Sequence, residues 1–539
     1  MQQPTFRATS ENPDVLIIGY GPVGAAVGAL LGRYGVKTLI IDKGQEILMM
    51  PRAIALDNEA LRILQMIGLD DQSFERIGIQ QVCMHSPIAG QFGRVNTAGT
   101  IDGHPKLVTF YQPDLEKALR NKVDEHECVE VLFHCELLNL KQHSEGVEAS
   151  VRNAEGQVQK ISARYVIGAD GASSKVRELI GQAFEGQTYA EDWLIVDAHQ
   201  RQGKAIEHVE FVCDPKRPTP HMPAPGGRER WEFMLLPGET REQMETPEKL
   251  AELLAPWMKR DELTIERQAV YRFHARCCDR FQKGRVFLVG DAAHITPPFV
   301  GQGLVAGLRD AANLSWKLAA VVSGRSREAI LDTYDEERRP HAKNMIRLAK
   351  FMGKLVMTKS TARSVVVHGA MRLLTFVPPL RSFLEELKVK PANSFKTGLF
   401  VSGRTQTGLT PATLKRGGQF PQGLVRSALN QSKAGMNLSD DLLGDQLTLV
   451  GIGVDPASVL DAAVLAEWQA AGAEVLHLGM RGQTGNGKTP FAEIMDDNLV
   501  LKAPQGWLAV VRPDRVVMHD GPSQLASTIV KESLRVLAI

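Results

Sequence analysis

The sequence is short of cysteine and of net charge, and each shortage narrows what the chain can be. Six cysteines, at 83, 128, 135, 213, 277 and 278, are scattered through 539 residues. None falls in a CxxC or zinc-ligand spacing, which argues against a dithiol centre, a disulfide framework and a structural metal site, and fits reduced thiols in a cytoplasmic protein. Lys and Arg number 63 against 62 Asp and Glu, a formal net charge of +1, so nothing general draws the chain to nucleic acid or to an acidic membrane. No apolar run reaches the roughly 18 residues of a membrane span. The most apolar region, 15–31, is interrupted by Gly19, Gly21, Pro22, Gly24 and Gly28. The first 13 residues lack the basic and apolar regions of a signal peptide and read as a polar tail. A chain of this length is expected to divide into two or three domains.

What is present in quantity is glycine at the ends of apolar strands. Asp14 to Ile18 feeds Gly19-Tyr20-Gly21-Pro22-Val23-Gly24, a small-residue helix follows, and a second strand over 36–41 ends on Asp42. Strand, glycine triplet, helix, strand and acid in that order predict a dinucleotide site. The glycines give a tight turn, close backbone approach to a pyrophosphate and close helix–strand contact, and Asp42 stands where a ribose-binding acid belongs. That acid disfavours a 2′-phosphate on the nucleotide.

Two later turns repeat the design. Tyr165-Val166-Ile167-Gly168-Ala169-Asp170-Gly171 is a strand ending in an acid before a helix start with Ser173, Ser174 and Arg177. Val286 to Val289 runs into Gly290-Asp291, then Pro297-Pro298, then Gly301-Gln302-Gly303 and a helix with apolar positions at Leu304, Leu308, Ala311, Leu314 and Leu318. A carboxylate at the strand end can hold the hydroxyls of a ribose or ribityl chain, and bare N–H groups at the helix start favour negative charge. Together they suit a flavin, whose ring becomes anionic on reduction.

In order, these three turns resemble the fingerprints of the single-component FAD-dependent aromatic hydroxylases, the group A flavoprotein monooxygenases, over residues 14 to 350. Further runs, Arg52-Ala53-Ile54 after Pro51, Cys213-Asp214-Pro215, Trp231-Glu232-Phe233-Met234 and Leu236-Pro237-Gly238-Glu239, are similar to members acting on phenols that carry a short carboxylate chain. The resemblance implies an α/β fold: a Rossmann-type FAD-binding domain with an inserted antiparallel-sheet substrate domain of the p-hydroxybenzoate-hydroxylase kind. The expected parts are a tail (1–13), the first part of the FAD domain (14–183), the substrate sheet (184–275), the second part with its helices (276–375), a linker (376–416) and a C-terminal domain (417–539). The cofactor set it implies is Gly19, Gly21, Pro22, Val23, Gly24, Asp42, Lys43, Arg52, Gln112, Asp170, Gly290, Asp291, Pro298, Gly301, Gln302, Gly303 and Leu304. Many members have Asn where this chain has Val305.

The implied reaction uses FAD, transient NADH or NADPH and O2 to hydroxylate a small phenol ortho to its hydroxyl. Alternatives are a larger phenol, quinone or polyketide as substrate, or a flavin-binding redox sensor without turnover. Tyr271, Arg52 and His221 are the catalytic candidates, and Arg217, Arg228 and Arg230 could clamp a carboxylate. No metal is expected, and a homodimer is. Segments at 129–140, 147–152 and 157–163 suggest a β-meander, and Arg338-Arg339-Pro340 suggests a helix boundary or kink. The tail's βαβ…ββα order resembles the thioredoxin-like domain of these hydroxylases. With no cysteine beyond Cys278 it is without dithiol chemistry.

Overall fold

The computed structural model describes residues 12–47, 49, 52–200, 206–257, 263–358, 360–379, 381, 390–403, 414–427 and 435–537. The tail before residue 12, Pro51, and the parts of the expected linker at 380, 382–389 and 404–413 lie outside them. Apolar strand β1 (Val15–Ile18) is wholly buried and leads into helix α1 (Pro22–Arg33), then β2 (Thr38–Ile41). Small residues let α1 lie close on the sheet: a Cβ at Gly28 would come within 2.6 Å of Ile40. After α2 (Gln112–Asp124), β3 (Val129–Leu132) joins β2 in parallel, and β4 (Tyr165–Gly168) joins β1 on its other side.

Here the structure departs from the expected meander. Val129–Leu132 belongs to the parallel sheet, and the antiparallel meander is Glu136–Gln142, Val147–Arg152 and Val158–Ala163. The chain turns between the two at His134, whose φ is +57°. The sequence pattern runs through that turn because apolar residues are wanted on both sides of it.

From β4 the chain crosses to a second sheet, made of β5 (Phe184–Gln200), β6 (Val209–Val212), β7 (Thr219–Ala224), β8 (Arg228–Met234) and β9 (Leu263–Cys278). Its order is β9-β5-β8-β7-β6, extended by Gln81–Ser86 and Gly90–Asn96 beyond β6 and by His294–Ile295 beyond β9. The sheet is thus wider than the segment 184–275, because two strands from early in the chain pair onto its edge. Alternation sorts its faces: Trp231 and Phe233 of β8 pack with Leu194 and Val196 of β5 under Leu250 and Leu254, which leaves Arg230, Glu232, Ile195 and Asp197 for the opposite face.

Strand β10 (Val286–Leu288) returns to the first sheet beside β4. Helices α3 (Gly303–Val322) and α4 (Thr333–Val356) follow. Pro340 lies inside α4, which continues through it, so the expected boundary is not found. The C-terminal sheet is built around β11 (Thr448–Ile452), with β12 (Glu474–Gly479) parallel to it and β13 (Phe491–Ile494) parallel to β12. On its other side β14 (Trp507–Val511) is antiparallel to β11 and β15 (Val517–Pro522) to β14. A last helix, α5 (Ala526–Val536), closes it. Among the described residues no helix is long and apolar enough to cross a membrane.

Candidate active site

One continuous cavity of about 1900 Å3 runs between the parallel sheet and the inner face of the antiparallel sheet. A small-ligand pocket is roughly 300–1000 Å3, so this one has room for a dinucleotide and a second molecule.

Two helix N-termini open into it. Neither α1, which starts after Gly21, nor α3, which starts after Gln302, has a side-chain cap. A Cβ at Gly21 or Gly303 would meet nothing within 4 Å, so the backbone there is bare toward the cavity. Such a pair of termini suits the two anionic regions of FAD, its pyrophosphate and its reduced ring. Behind the first turn the packing is tight: a Cβ on Gly24 would lie 2.0 Å from the carbonyl oxygen of Gly19. Gly290, with φ +57°, backs onto Val23 in the same way. Gly24 and Gly290 are therefore walls behind the cavity, whereas Gly19, Gly21, Pro22, Val23, Asp42, Lys43, Pro298, Gly301, Gln302, Gly303 and Leu304 all line it.

The acids at the strand ends face the same space. Asp42 accepts hydrogen bonds from the backbone N–H of Tyr20 (2.6 Å) and of Gly44 (2.8 Å). Asp170 accepts from Ser174 Oγ (2.5 Å) and from the N–H groups of Lys175 and Val176 (2.7 and 3.1 Å); burial raises its pKa against those bonds. Asp291 keeps 36% of its side-chain surface, with Arg52 Nη1 3.8 Å away. Burial raises its carboxyl too, opposed by Arg52 and His294. Gln112 Oε1 accepts from the N–H groups of Arg52 and Ala53, both at 2.9 Å, and so fixes that segment to the start of α2. The Gln302 side chain turns away, donating to Asp57 Oδ2 and accepting from Arg309 Nη1 at 3.0 Å each. What it offers the cavity is backbone.

The antiparallel sheet supplies the other wall. Arg230 grips Asp197 through two bonds of 2.6 and 2.9 Å, and Arg267 Nη1 donates to the same carboxylate at 3.1 Å. Arg267 also donates to the Tyr271 hydroxyl, and the Arg52 guanidinium lies 5.9 Å from the Tyr271 ring centre. Around this cluster the cavity is lined by Ile195, Phe211, Met222, Phe273 and Phe299.

Of the expected residues, Tyr271 and Arg52 line the cavity and lie together; His221 does not line it. Pro220 and Met222 face the cavity, and alternation puts His221 between them on the reverse side, its Nε2 2.5 Å from Glu229 and its ring stacked on Trp231. Arg217 is bound to Glu239 and Arg228 to Glu266, and neither lines the cavity, which leaves Arg230 of the three. The sequence reading missed Asp197, Glu232 and Arg267. A signal for Glu232 existed: Arg228, Arg230 and Glu232 are spaced by two around Trp231, the mark of one strand face.

Comparison with known proteins agrees with this geometry. Residues 12–349 match the FAD binding domain family and residues 417–535 the HcaD C-terminal domain. The chain is 32% identical to the 3-(3-hydroxy-phenyl)propionate/3-hydroxycinnamic acid hydroxylase of Comamonas testosteroni, covering 98% of both chains. It is 34% identical to the protein of the same name from Burkholderia cenocepacia, covering 95% of this chain and 94% of that one. Among solved structures, the flavin-dependent monooxygenase PieE, in complex with FAD and substrate, superposes with a TM-score of 0.81 at 21% identity, covering 98% of this chain and all of that one. Aklavinone-11 hydroxylase with FAD and aklavinone gives 0.75 at 22%, with the same coverage. These two likenesses establish the fold.

Proposed function

The chain belongs to the FAD binding domain family of aromatic hydroxylases, and from that membership we propose that it hydroxylates 3-(3-hydroxyphenyl)propionate or 3-hydroxycinnamate ortho to the phenolic hydroxyl. It is an FAD-dependent monooxygenase. The reductant in this reading is NADH or NADPH, whose two electrons and one O2 yield one hydroxyl on the ring and one water. FAD, when bound, supplies the hydride acceptor and the means of activating O2.

The protein's own residues have separate tasks. The bare N–H groups at the starts of α1 and α3 hold negative charge, Asp42 and Asp291 take sugar and ribityl hydroxyls, and Gln112 keeps Arg52 in place beside Asp291. Arg52 and Tyr271 border the substrate; His221, turned to the far face, has no part. The apolar lining around them excludes water from the reacting atoms.

The observation that carries the choice of substrate is the sharing of one carboxylate, Asp197, by Arg230 and Arg267 in the cavity wall. Both guanidiniums line the cavity, where they can donate to a substrate carboxylate as well as to Asp197. The test is NADH and NADPH oxidation by the FAD-loaded protein with a panel of phenolic acids, each followed to its catechol product. No stimulation by any phenolic acid would overturn the proposal. The cavity volume favours one second reading, a larger phenol, quinone or polyketide, and the same panel extended to polycyclic phenols decides between them.

The proposal also places the protein in the cytoplasm, in keeping with six cysteines that are all free. It further includes a homodimer, for which the exposed apolar side chains Val366, Leu373 and Phe376 offer a surface; sedimentation of the purified protein tests it.

A further inference from the structure

Glu232 is the acid on the inner face of the antiparallel sheet that the cofactor and carboxylate assignments leave unused. It is 7% exposed and lines the cavity. Its neighbour Asp197 is tied up by two arginines, whereas the Glu232 carboxyl has no hydrogen bond or ion pair among the described residues. Ile195 lies directly across the strand pair from it. The groups that bear on it are Arg230 on its own strand, Asp197 on β5 and Arg267 on β9. On its other side β7 presents Pro220 and Met222, and the helical side of the cavity presents Phe299 and Met352, none of which ionises.

We propose that Glu232 is the base that takes the proton of the substrate's phenol; the inference rests on the phenol-hydroxylase reading above. The O–H bond breaks toward the phenolic oxygen, which keeps the electron pair, and the proton goes to a Glu232 carboxylate oxygen and on to solvent before the next turnover. The electron-rich phenolate activates the ortho carbon toward oxygen transfer. Burial pushes the carboxyl up to about 7, with Arg230 opposing, Asp197 adding and Arg267 opposing, which suits a base working near neutrality. Position fits as well. Glu232 stands two residues along β8 from Arg230, about 7 Å of strand rise, so one molecule can reach both with its phenol at one end and its carboxylate at the other. The nearby alternatives are otherwise engaged: Tyr271 receives the Arg267 donor, His274 Nδ1 lies 3.0 Å from Thr188 Oγ1, and His221 faces away.

The test has two parts, both on the FAD-loaded protein. Without reductant, ultraviolet difference spectra of bound 3-(3-hydroxyphenyl)propionate are recorded against pH. The phenolate band should grow through pH about 7 in the wild type and be missing in Glu232→Gln. In turnover, Glu232→Gln should lose about 100-fold or more in kcat together with the alkaline rise of its pH profile. An analogue whose electron-withdrawing substituent ionises the phenol unaided should return the variant to within a few-fold of wild type. Wild-type protein that binds the phenol only in neutral form across this range overturns the proposal, and this measurement stands even where the variant fails to hold FAD. An FAD-loaded variant with the wild-type pH profile overturns it equally. Either result, with phenol-stimulated turnover intact, leaves the hydroxylase reading standing; failure of all phenols to stimulate the wild type removes both.

Discussion

Replacing Arg267 by Met tests whether the guanidinium groups beside Asp197 read a substrate carboxylate. Arg267 is 8% exposed and Asp197 11%, so the interaction is shielded from solvent. Removing Arg267 does not orphan the aspartate, which keeps both bonds from Arg230, and the fold should tolerate the change. What is lost for an acid substrate is a charge-assisted hydrogen bond of roughly 1.5–3 kcal/mol, or roughly 10- to 150-fold in kcat/KM. For 3-propylphenol, equal in size and uncharged, the loss should be no more than about 3-fold. Wild-type enzyme should itself prefer 3-(3-hydroxyphenyl)propionate over 3-propylphenol by about 2–4 kcal/mol, since a polar site rejects the analogue that leaves it unpaired. Initial rates of NADH oxidation, corrected by the catechol formed, give all four values. Equal kcat/KM for the two phenols in wild type, or an equal loss of both in the variant, would refute the reasoning and shift the case to larger neutral phenols.

Asp291→Ala should release FAD on gel filtration, because each ribityl hydrogen bond to the carboxylate is worth roughly 1.5–3 kcal/mol; a folded variant with full flavin absorbance contradicts the assignment. Replacing all six cysteines by Ser or Ala should leave coupled hydroxylation in place apart from packing losses, since burial pushes the thiols of Cys213, Cys277 and Cys278 up to about 12. Loss of turnover with FAD retained would show a thiol at work. Burial alone would raise the Glu337 carboxyl, but Arg512 and Lys317 hold it well below the usual range. A lowered folded pKa stabilises above the unfolded value of about 4.3 and loses that stabilisation as pH falls below it. Arg512→Met should therefore cost about 3–5 kcal/mol at neutral pH and show a shallower acid decline of Tm than wild type; an unchanged Tm at neutral pH would count against it.

The half of the cavity proposed for FAD could be read from the chain because each of its parts is local. A turn that needs bare backbone needs glycine, and an acid at a strand end lies a fixed number of residues from it; Gly19, Gly21, Asp42, Asp170 and Asp291 all lie where that logic puts them, on one cavity. The opposite wall, proposed for the substrate, is not local. Asp197, Arg230 and Arg267 meet only through the register of β5 with β8 and β9, which no run of residues announces. Arginine count misled for the same reason: Glu239 and Glu266, distant in sequence or on another strand, claim Arg217 and Arg228. His221 was misplaced by a single step of strand alternation, which moves a side chain from one face to the other.

The C-terminal domain adds a constraint that neither its composition nor its topology suggests. Its Arg512, fully buried, binds Glu337 of α4 at 2.7 and 2.9 Å, and Glu337 in turn accepts from Asn313 and Lys317 of α3 at 2.6 and 2.9 Å. Asp514 completes the cluster from the tail with a 3.1 Å bond from Asn313. Farther out, Arg62 of the first part grips Asp440 of the tail through bonds of 2.7 and 2.8 Å. Buried ion pairs add little net stability over apolar packing of the same volume, yet breaking one is costly. Here they tie α3, α4 and the tail into one hydrogen-bonded cluster. The apolar contacts run the same way, since Leu449, Trp468, Leu508 and Val510 share one continuous core with β1 and α1. Helix α3 is one of the two helices whose first turn opens onto the cavity, so on the proposed function a domain that has no thiols can still serve the chemistry by holding that helix in place. A rigid α3 keeps its N-terminal N–H groups aimed into the cavity, and on the proposed function such preorganised donors need no rearrangement at the moment of reaction.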